Sequence, residues 1–260
     1  MIGILGAERY EAIVEGQLER STVSTRYGDV SVLTGAVGNR SVVYIRRFGW
    51  DGNLASDVVS HASHALAFLQ LGVRRAITLN GFGGVNKDLS VGDLVVYHDY
   101  IKMCERTPTT IFAGEPTWPR AKMEVPFCPE VREALTEAAR RNSQRRVIDQ
   151  AVNICVQGPH NETPAEIEAY RRLGADIVCT TVYPEVVYFR ELEICFAGLC
   201  WISDAAGVSA QKDWVRITPE ELTPIIRDAI GSIPEQADCD CQRTWDGSET
   251  SLPSWYLAMR

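Results

Sequence analysis

Asp204 ends the apolar run 195–203 and is followed by Ala205-Ala206-Gly207. A carboxylate there stands at the C-terminal end of a strand, where open α/β sheets bind ligands, although capping a following helix would use the same residue type. Two glycine-bearing turns also follow strand-like runs. Gly3-Ile4-Leu5-Gly6-Ala7 has two glycines rather than the full dinucleotide fingerprint, and Asn80-Gly81-Phe82-Gly83-Gly84 closes a later run. Glycine allows backbone to approach a ligand closely, and a plain tight turn needs it equally. Asp57, His61 and His64 are spaced to share a helix face, a pattern that more often caps a helix or lines a subunit contact than binds metal. Cys239-Asp240-Cys241 suits a local disulfide or redox role, with no second ligand pair in view to complete a zinc site. The other cysteines, at 104, 128, 155, 179, 195 and 200, lie mostly in apolar runs and read as buried thiols. No resident metal is expected.

Such groups need a scaffold to bring them together. Short β-branched runs at residues 2–5, 41–45, 76–79, 93–97, 152–156, 176–181 and 195–203 alternate with helical patterns. That alternation predicts an α/β fold with a mixed, mainly parallel sheet flanked by helices. Val58, Ala62, Ala65, Leu66 and Leu69 form a helical stripe ending at Gly72, and residues 129–141 form another. Thr163-Pro164-Ala165-Glu166 and Thr218-Pro219-Glu220-Glu221 each supply an N-cap, a proline at the first helical position and a capping-box glutamate. Residues 103–126, rich in Thr, Pro and Gly, read as a long loop within one domain spanning 1–233. Order becomes doubtful from Pro234, so 234–260 reads as a C-terminal extension.

The 26 basic residues against 34 acidic ones leave a net charge of −8, which argues against a nucleic-acid partner. With 45% hydrophobic and 23% charged residues the chain has the balance of a globular protein. No run approaches bilayer-spanning length, and the N-terminus lacks a basic signal-peptide start, so the reading is a soluble cytoplasmic protein with no membrane partner.

The order of these segments resembles the nucleoside phosphorylase superfamily, in particular the trimeric branch of methylthioadenosine and purine nucleoside phosphorylases. The matching text is the run Gly158 to Glu166, then Gly174-Ala175-Asp176, then Pro184-Glu185-Val186-Val187 with Arg190-Glu191. Earlier come Leu71-Gly72-Val73, the second glycine turn, Gly92-Asp93-Leu94-Val95 and Pro126-Phe127-Cys128, and the late Cys-x-Cys recurs in some methylthioadenosine phosphorylases. The resemblance implies a nucleoside phosphorylase fold, a homotrimer, a nucleoside-like small-molecule substrate, cleavage of its N-glycosidic bond, and no cofactor beyond phosphate as co-substrate. It also assigns residues. Arg47, Thr181, Glu8, Asn80 and Gly81 fall where the family binds the anion or nucleophile, and Phe82, Asn161, Glu162, Cys179 and Thr180 fall where it binds the nucleoside.

Several of those positions depart from the family pattern. Glu8 and Arg9 replace a hydroxyl residue and a glycine, Phe48 replaces a histidine, Asn161 an aromatic and Thr180 a methionine, while Ala206 stands where adenine-specific members have a second aspartate. A carboxylate in place of a hydroxyl repels phosphate at short range. Gly6-Ala7-Glu8-Arg9-Tyr10-Glu11 and Ile202-Ser203-Asp204-Ala205-Ala206 are similar instead to the hydrolytic branch, the methylthioadenosine and adenosylhomocysteine nucleosidases. That likeness implies Glu11 as the carboxylate activating water and Asp204 as the proton donor to the leaving purine. Cleaving the bond builds oxocarbenium character on the sugar and negative charge on the base, so a donor at N7 and a nucleophile at C1′ suffice. The expectation leans to water over phosphate; the alternative is a member that has lost cleavage and serves as a binder or a different catalyst. Trp50, Trp118 and Trp201 are candidates to pack around the ligand, and His160 to touch a sugar or a neighbouring subunit.

Overall fold

The computed structural model describes residues 1–105, 108–116, 120–208, 214–248 and 251–260. Strand β1 (Ile2–Gly6) is buried along its whole length because it runs between two parallel neighbours, β4 (Arg40–Arg46) and β5 (Arg75–Gly84). A strand covered on both faces must be a continuous apolar run, and that is why such strands are legible in the sequence. On the other edge of β5 lies β11 (Cys195–Ala205), parallel from Cys195 opposite Arg75 to Ile202 opposite Phe82. The register then slips, so that Asp204 rather than Ser203 faces Gly83. This bulge turns the end of β11 and re-aims its last side chains.

The end of β5 pairs antiparallel with β10 (Ile177–Cys179), which runs parallel to β9 (Val152–Val156), itself parallel to β7 (Asp99–Met103). A short strand β6 (Leu94–Val95) pairs with β11 and with β8 (Val147–Ile148). Beyond β4 the sheet continues through β3 (Gly28–Val37) and β2 (Glu15–Thr25), both antiparallel. The result is an eleven-stranded mixed sheet with order β2-β3-β4-β1-β5-β10-β9-β7 and β11, β6 and β8 branching from β5. The expected α/β architecture is present. The β2–β3 hairpin and β7 have no counterpart among the expected strands. Rich in Glu, Arg, Ser and Thr, β2 is an outer strand whose pairing, not its composition, makes it a strand.

Helix α1 (His61–Gln70) starts later than its stripe suggests, leaving Val58 62% exposed outside it. Helices α2 (Pro129–Asn142), α3 (Pro164–Arg172) and α5 (Pro219–Ser232) lie where expected, and the last two have both halves of the capping box formed. Helix α4 (Val182–Glu191) follows β10 directly and was not foreseen, since its burial on nearly every side removes the amphipathic stripe. Between β7 and α2 the described residues form neither helix nor strand.

The described part of the segment after Pro234 packs on the rest of the chain. Cys241, Trp245, Leu252 and Tyr256 join the core, Trp245 Nε1 donates to the Glu191 carbonyl at 2.8 Å, and a short helix α6 (Ser254–Leu257) follows. Among the described residues no helix is long and apolar enough to cross a membrane.

Candidate active site

The C-terminal ends of β1, β5, β10 and β11 converge on two adjoining cavities of about 570 and 500 Å³. Both are lined by Phe48, Asn80, Gly81, Ser203 and Trp214, so they form one continuous cleft. Gly81 is required here, because a Cβ at this position would lie 2.9 Å from Trp201 Nε1. One half of the cleft holds Glu8, Arg9, Tyr10, Glu11, Trp201 and Arg216. The other holds Phe82, Asn161, Glu162, Cys179, Thr180 and Asp204. All five residues assigned to the nucleoside therefore share a single chamber with the candidate proton donor.

Asp204 is 8% exposed, and Ser203 Oγ lies 2.5 Å from its Oδ1 and 3.0 Å from the Phe82 carbonyl oxygen. Burial raises its pKa above the ordinary aspartate value, against the opposing effect of the Ser203 hydrogen bond. Glu162 in the same chamber is likewise raised, first by burial, with the Asp204 charge adding to it. No ion pair forms at either acid among the described residues. A raised pKa makes a cleft acid better suited to give a proton to a leaving group.

The two arginines ending β4 and beginning the next turn have different fates. Arg46 reaches the 3-10 turn Glu8–Ile13, where Nε and Nη2 hold the Glu11 carboxylate at 2.7 and 2.9 Å, and Nη1 approaches Glu8 at 3.4 Å. Its guanidinium lies 3.8 Å from the Trp50 ring, whose other cationic neighbour is Arg20 at 3.5 Å. Trp50 is thus committed to arginines and not to the cleft lining.

Arg47 is 1% exposed and lines neither cavity. Its Nε and Nη2 bind Glu185 at 2.8 and 3.1 Å, and Nη2 also donates to Thr78. His61 Nδ1 meets the same Glu185 at 2.9 Å, while burial, followed by the charge of His61, pulls the buried His64 down to about 3.

Three of the assigned residues stand differently from a simple cleft lining. Arg47 does not open into the cleft, since its guanidinium is buried against Glu185 and Thr78. Thr181 is 1% exposed and lines neither cavity, and Asn80, which lines both, donates from Nδ2 to its hydroxyl at 3.3 Å. Glu11 lines the cleft as expected, but Arg46 already holds both of its carboxylate oxygens. Glu8, Asn80 and Gly81 do line the cleft.

Tyr10, Trp214, Arg9 and Arg216 escaped assignment. Tyr10 packs edge-on to Trp201 at 5.3 Å between centroids and donates to the Ile217 carbonyl at 3.0 Å. Trp201 Nε1 donates to the Val215 carbonyl at 3.2 Å, which brings the aperiodic segment carrying Trp214 and Arg216 over the site. Nothing periodic marks that segment in the sequence. Trp118 lies outside the described residues.

A sequence model of the phosphorylase superfamily matches residues 1–233. A probable S-methyl-5′-thioinosine phosphorylase of Methanopyrus kandleri is 36% identical over 257 residues, covering 95% of this chain and 98% of the relative. The 6-oxopurine nucleoside phosphorylase of Pyrococcus furiosus is 32% identical over 257 residues, covering 94% and 96%. Among solved structures, a methylthioadenosine phosphorylase sourced from an antarctic soil metagenomic library superposes with a TM-score of 0.88 at 23% identity, covering 99% of this chain and 97% of that one.

Proposed function

The chain belongs to the phosphorylase superfamily, and from that premise we propose that it cleaves the N-glycosidic bond of a purine nucleoside by phosphorolysis, with a 6-oxopurine as leaving base. The carrying observation is Asp204, a buried acid with raised pKa and, among the described residues, no cationic partner, in a cleft at the strand ends. A protonated carboxyl donates hydrogen bonds. The N7 and O6 edge of a 6-oxopurine only accepts them, whereas adenine sets an amino donor beside N7. Ala206 removes the second acid that would accept from that amine, and the relatives named for thioinosine and 6-oxopurine substrates agree with this preference.

In the reaction Asp204 passes its proton to N7 as the C1′–N9 bond breaks. Ser203 has one hydroxyl hydrogen and two acceptors within reach, the Phe82 carbonyl and Asp204 Oδ1. As the carboxylate forms, that hydrogen moves to the stronger acceptor and stabilises the new charge. Phosphate rather than water is the nucleophile in this reading. Glu11 is bound by Arg46, while Arg9, Arg216 and Asn80 line the same half-cleft and supply donors for a dianion. The proposal includes a homotrimer working in the cytoplasm without a resident organic cofactor.

A second reading, a binder that has lost cleavage, draws on one observation: the arginine and histidine positions of the family's anion site hold Arg47, neutralised by Glu185, and Phe48. Incubating the protein with inosine, methylthioinosine, adenosine and methylthioadenosine, with and without phosphate, separates these readings. Phosphate-dependent release of hypoxanthine with a sugar 1-phosphate is expected. Free sugar without phosphate would restore water as the nucleophile, and binding with no base released would favour the second reading.

A further inference from the structure

At the opposite end of β11 from Asp204, the Cys-x-Cys pair is not alone. Cys128, at the N-cap of α2, and Cys195, the first residue of β11, meet Cys239 and Cys241, and the four Sγ atoms all lie within 4.8 Å of one another. Cys239 Sγ is 3.6 Å from both Cys128 Sγ and Cys195 Sγ. The second ligand pair comes from residues more than forty positions away.

We propose that these four cysteines hold one tetrahedral thiophilic divalent ion, with zinc the ion whose chemistry fits best. Four thiolates about 2.3 Å from a zinc ion are separated from each other by roughly 3.8 Å. The separations here span that distance. Cys239 is equidistant from two sulfurs, and a disulfide would have to choose one of them. All four thiols are free in this arrangement. Zinc has no redox chemistry of its own, so binding breaks four S–H bonds, releases four protons and forms four Zn–S bonds without electron transfer.

The surroundings are built for such a centre. Glu130 Oε1 accepts from the backbone nitrogens of Asp238 and Cys239 at 2.6 and 2.8 Å, which fixes the Cys-x-Cys turn, and its Oε2 accepts from Arg75 Nη1 at 2.8 Å. Gln242 Nε2 donates to Cys195 Sγ at 3.6 Å and to the Arg74 carbonyl at 3.3 Å. A four-thiolate zinc centre carries two net negative charges. Arg75, 4% exposed with Nη2 lacking a hydrogen-bond partner, acts electrostatically on Cys195 and Cys128, and Arg190 acts on Cys241. Outer-shell groups of this kind orient ligands and offset charge.

The ion would fasten residues 238–246 to α2 and to the start of the central strand. Cys195 and Asp204 are nine residues apart on β11, which puts roughly 30 Å between the ion and the proton donor. Its role is therefore to hold the C-terminal segment, not to take part in catalysis.

The test is elemental analysis of the full chain purified without chelator, with thiol counting before and after metal release. About one zinc per chain is expected, together with four thiols that become reactive only on release. Replacement by cobalt should give the d–d and thiolate-to-cobalt charge-transfer bands of a tetrahedral four-sulfur site. Cys239→Ser and Cys241→Ser should lose the metal, and Cys104→Ser, outside the cluster, should retain it. If either cluster variant fails to fold, the zinc content and cobalt spectrum of the unaltered chain still decide. Metal-free protein with four reactive thiols, or non-reducing mass analysis showing disulfides among these cysteines, would overturn the proposal.

Discussion

Outside the cleft lining, Glu185 is fully buried with Arg47 and His61 on its oxygens; inside the cleft, Asp204 is nearly as buried and, among the described residues, its carboxylate is met by Ser203. Burial alone pushes both carboxyls up. For Glu185 the Arg47 charge and the His61 contact outweigh it and hold the group at about 2, whereas for Asp204 nothing does and the shift stays upward. Depth is therefore a poor guide to what a buried acid can do, and the partner is a good one. A paired carboxylate ties elements together, and a buried one without such a pairing has its pKa shifted toward the proton-donating form.

Breaking the paired side should produce the largest effect. Glu185→Gln leaves the Arg47 guanidinium buried without its counter-ion, and urea unfolding should show a loss of about 3–5 kcal/mol. Retained stability would mean that the pair does not hold the sheet to α4. The same carboxylate gives a pH dependence with a definite sign. Its folded pKa is depressed from 4.5 to about 2, so its stabilisation is complete above the unfolded value and disappears as pH falls through that interval. Acid unfolding of Glu185→Gln should lack this component.

On the unpaired side, Asp204→Asn should slow base release by roughly 100-fold or more, about 2.7 kcal/mol in the barrier, with the melting temperature little changed. A variant that turns over normally removes Asp204 from the chemistry. Ser203→Ala should cost about tenfold in kcat through loss of one hydrogen bond to a charged group. It should also move the alkaline limb of the rate profile to higher pH, since a carboxylate without that donor keeps its proton longer. An unmoved limb would separate Ser203 from the proton transfer.

The smallest effect is expected at Glu11. Its carboxylate serves Arg46, and Glu11→Gln should stay within about threefold of the parent rate, far from the 100-fold or more that loss of a general base costs. A fall of that larger size would mean that Arg46 releases Glu11 during turnover and that water attacks.

The fold was legible wherever local chemistry was decisive. Strands buried on both faces, such as β1 and β11, are unbroken apolar runs, and the capping boxes at Thr163 and Thr218 satisfy the first backbone donors of their helices within four residues. The residues assigned by resemblance to the nucleoside share one chamber, since Phe82 near the end of β5, Asn161-Glu162 just before α3 and Cys179-Thr180 at the end of β10 all lie where the sheet opens. Polar β2 and all-round buried α4 were not legible, because the one depends on its neighbour's hydrogen bonds and the other lacks a polar face.

What the sequence by itself determined was the family frame and the position of an acid at the mouth of a central strand. Which charges were available at that mouth was decided only in three dimensions. Arg47 meets Glu185 across 138 positions, Arg46 meets Glu11 across 35, and Cys128 meets Cys239 across 111. A side chain's intrinsic chemistry is set by its type, but its protonation and its freedom to bind depend on what lies within a few ångströms, and only the crossovers of the sheet choose those neighbours.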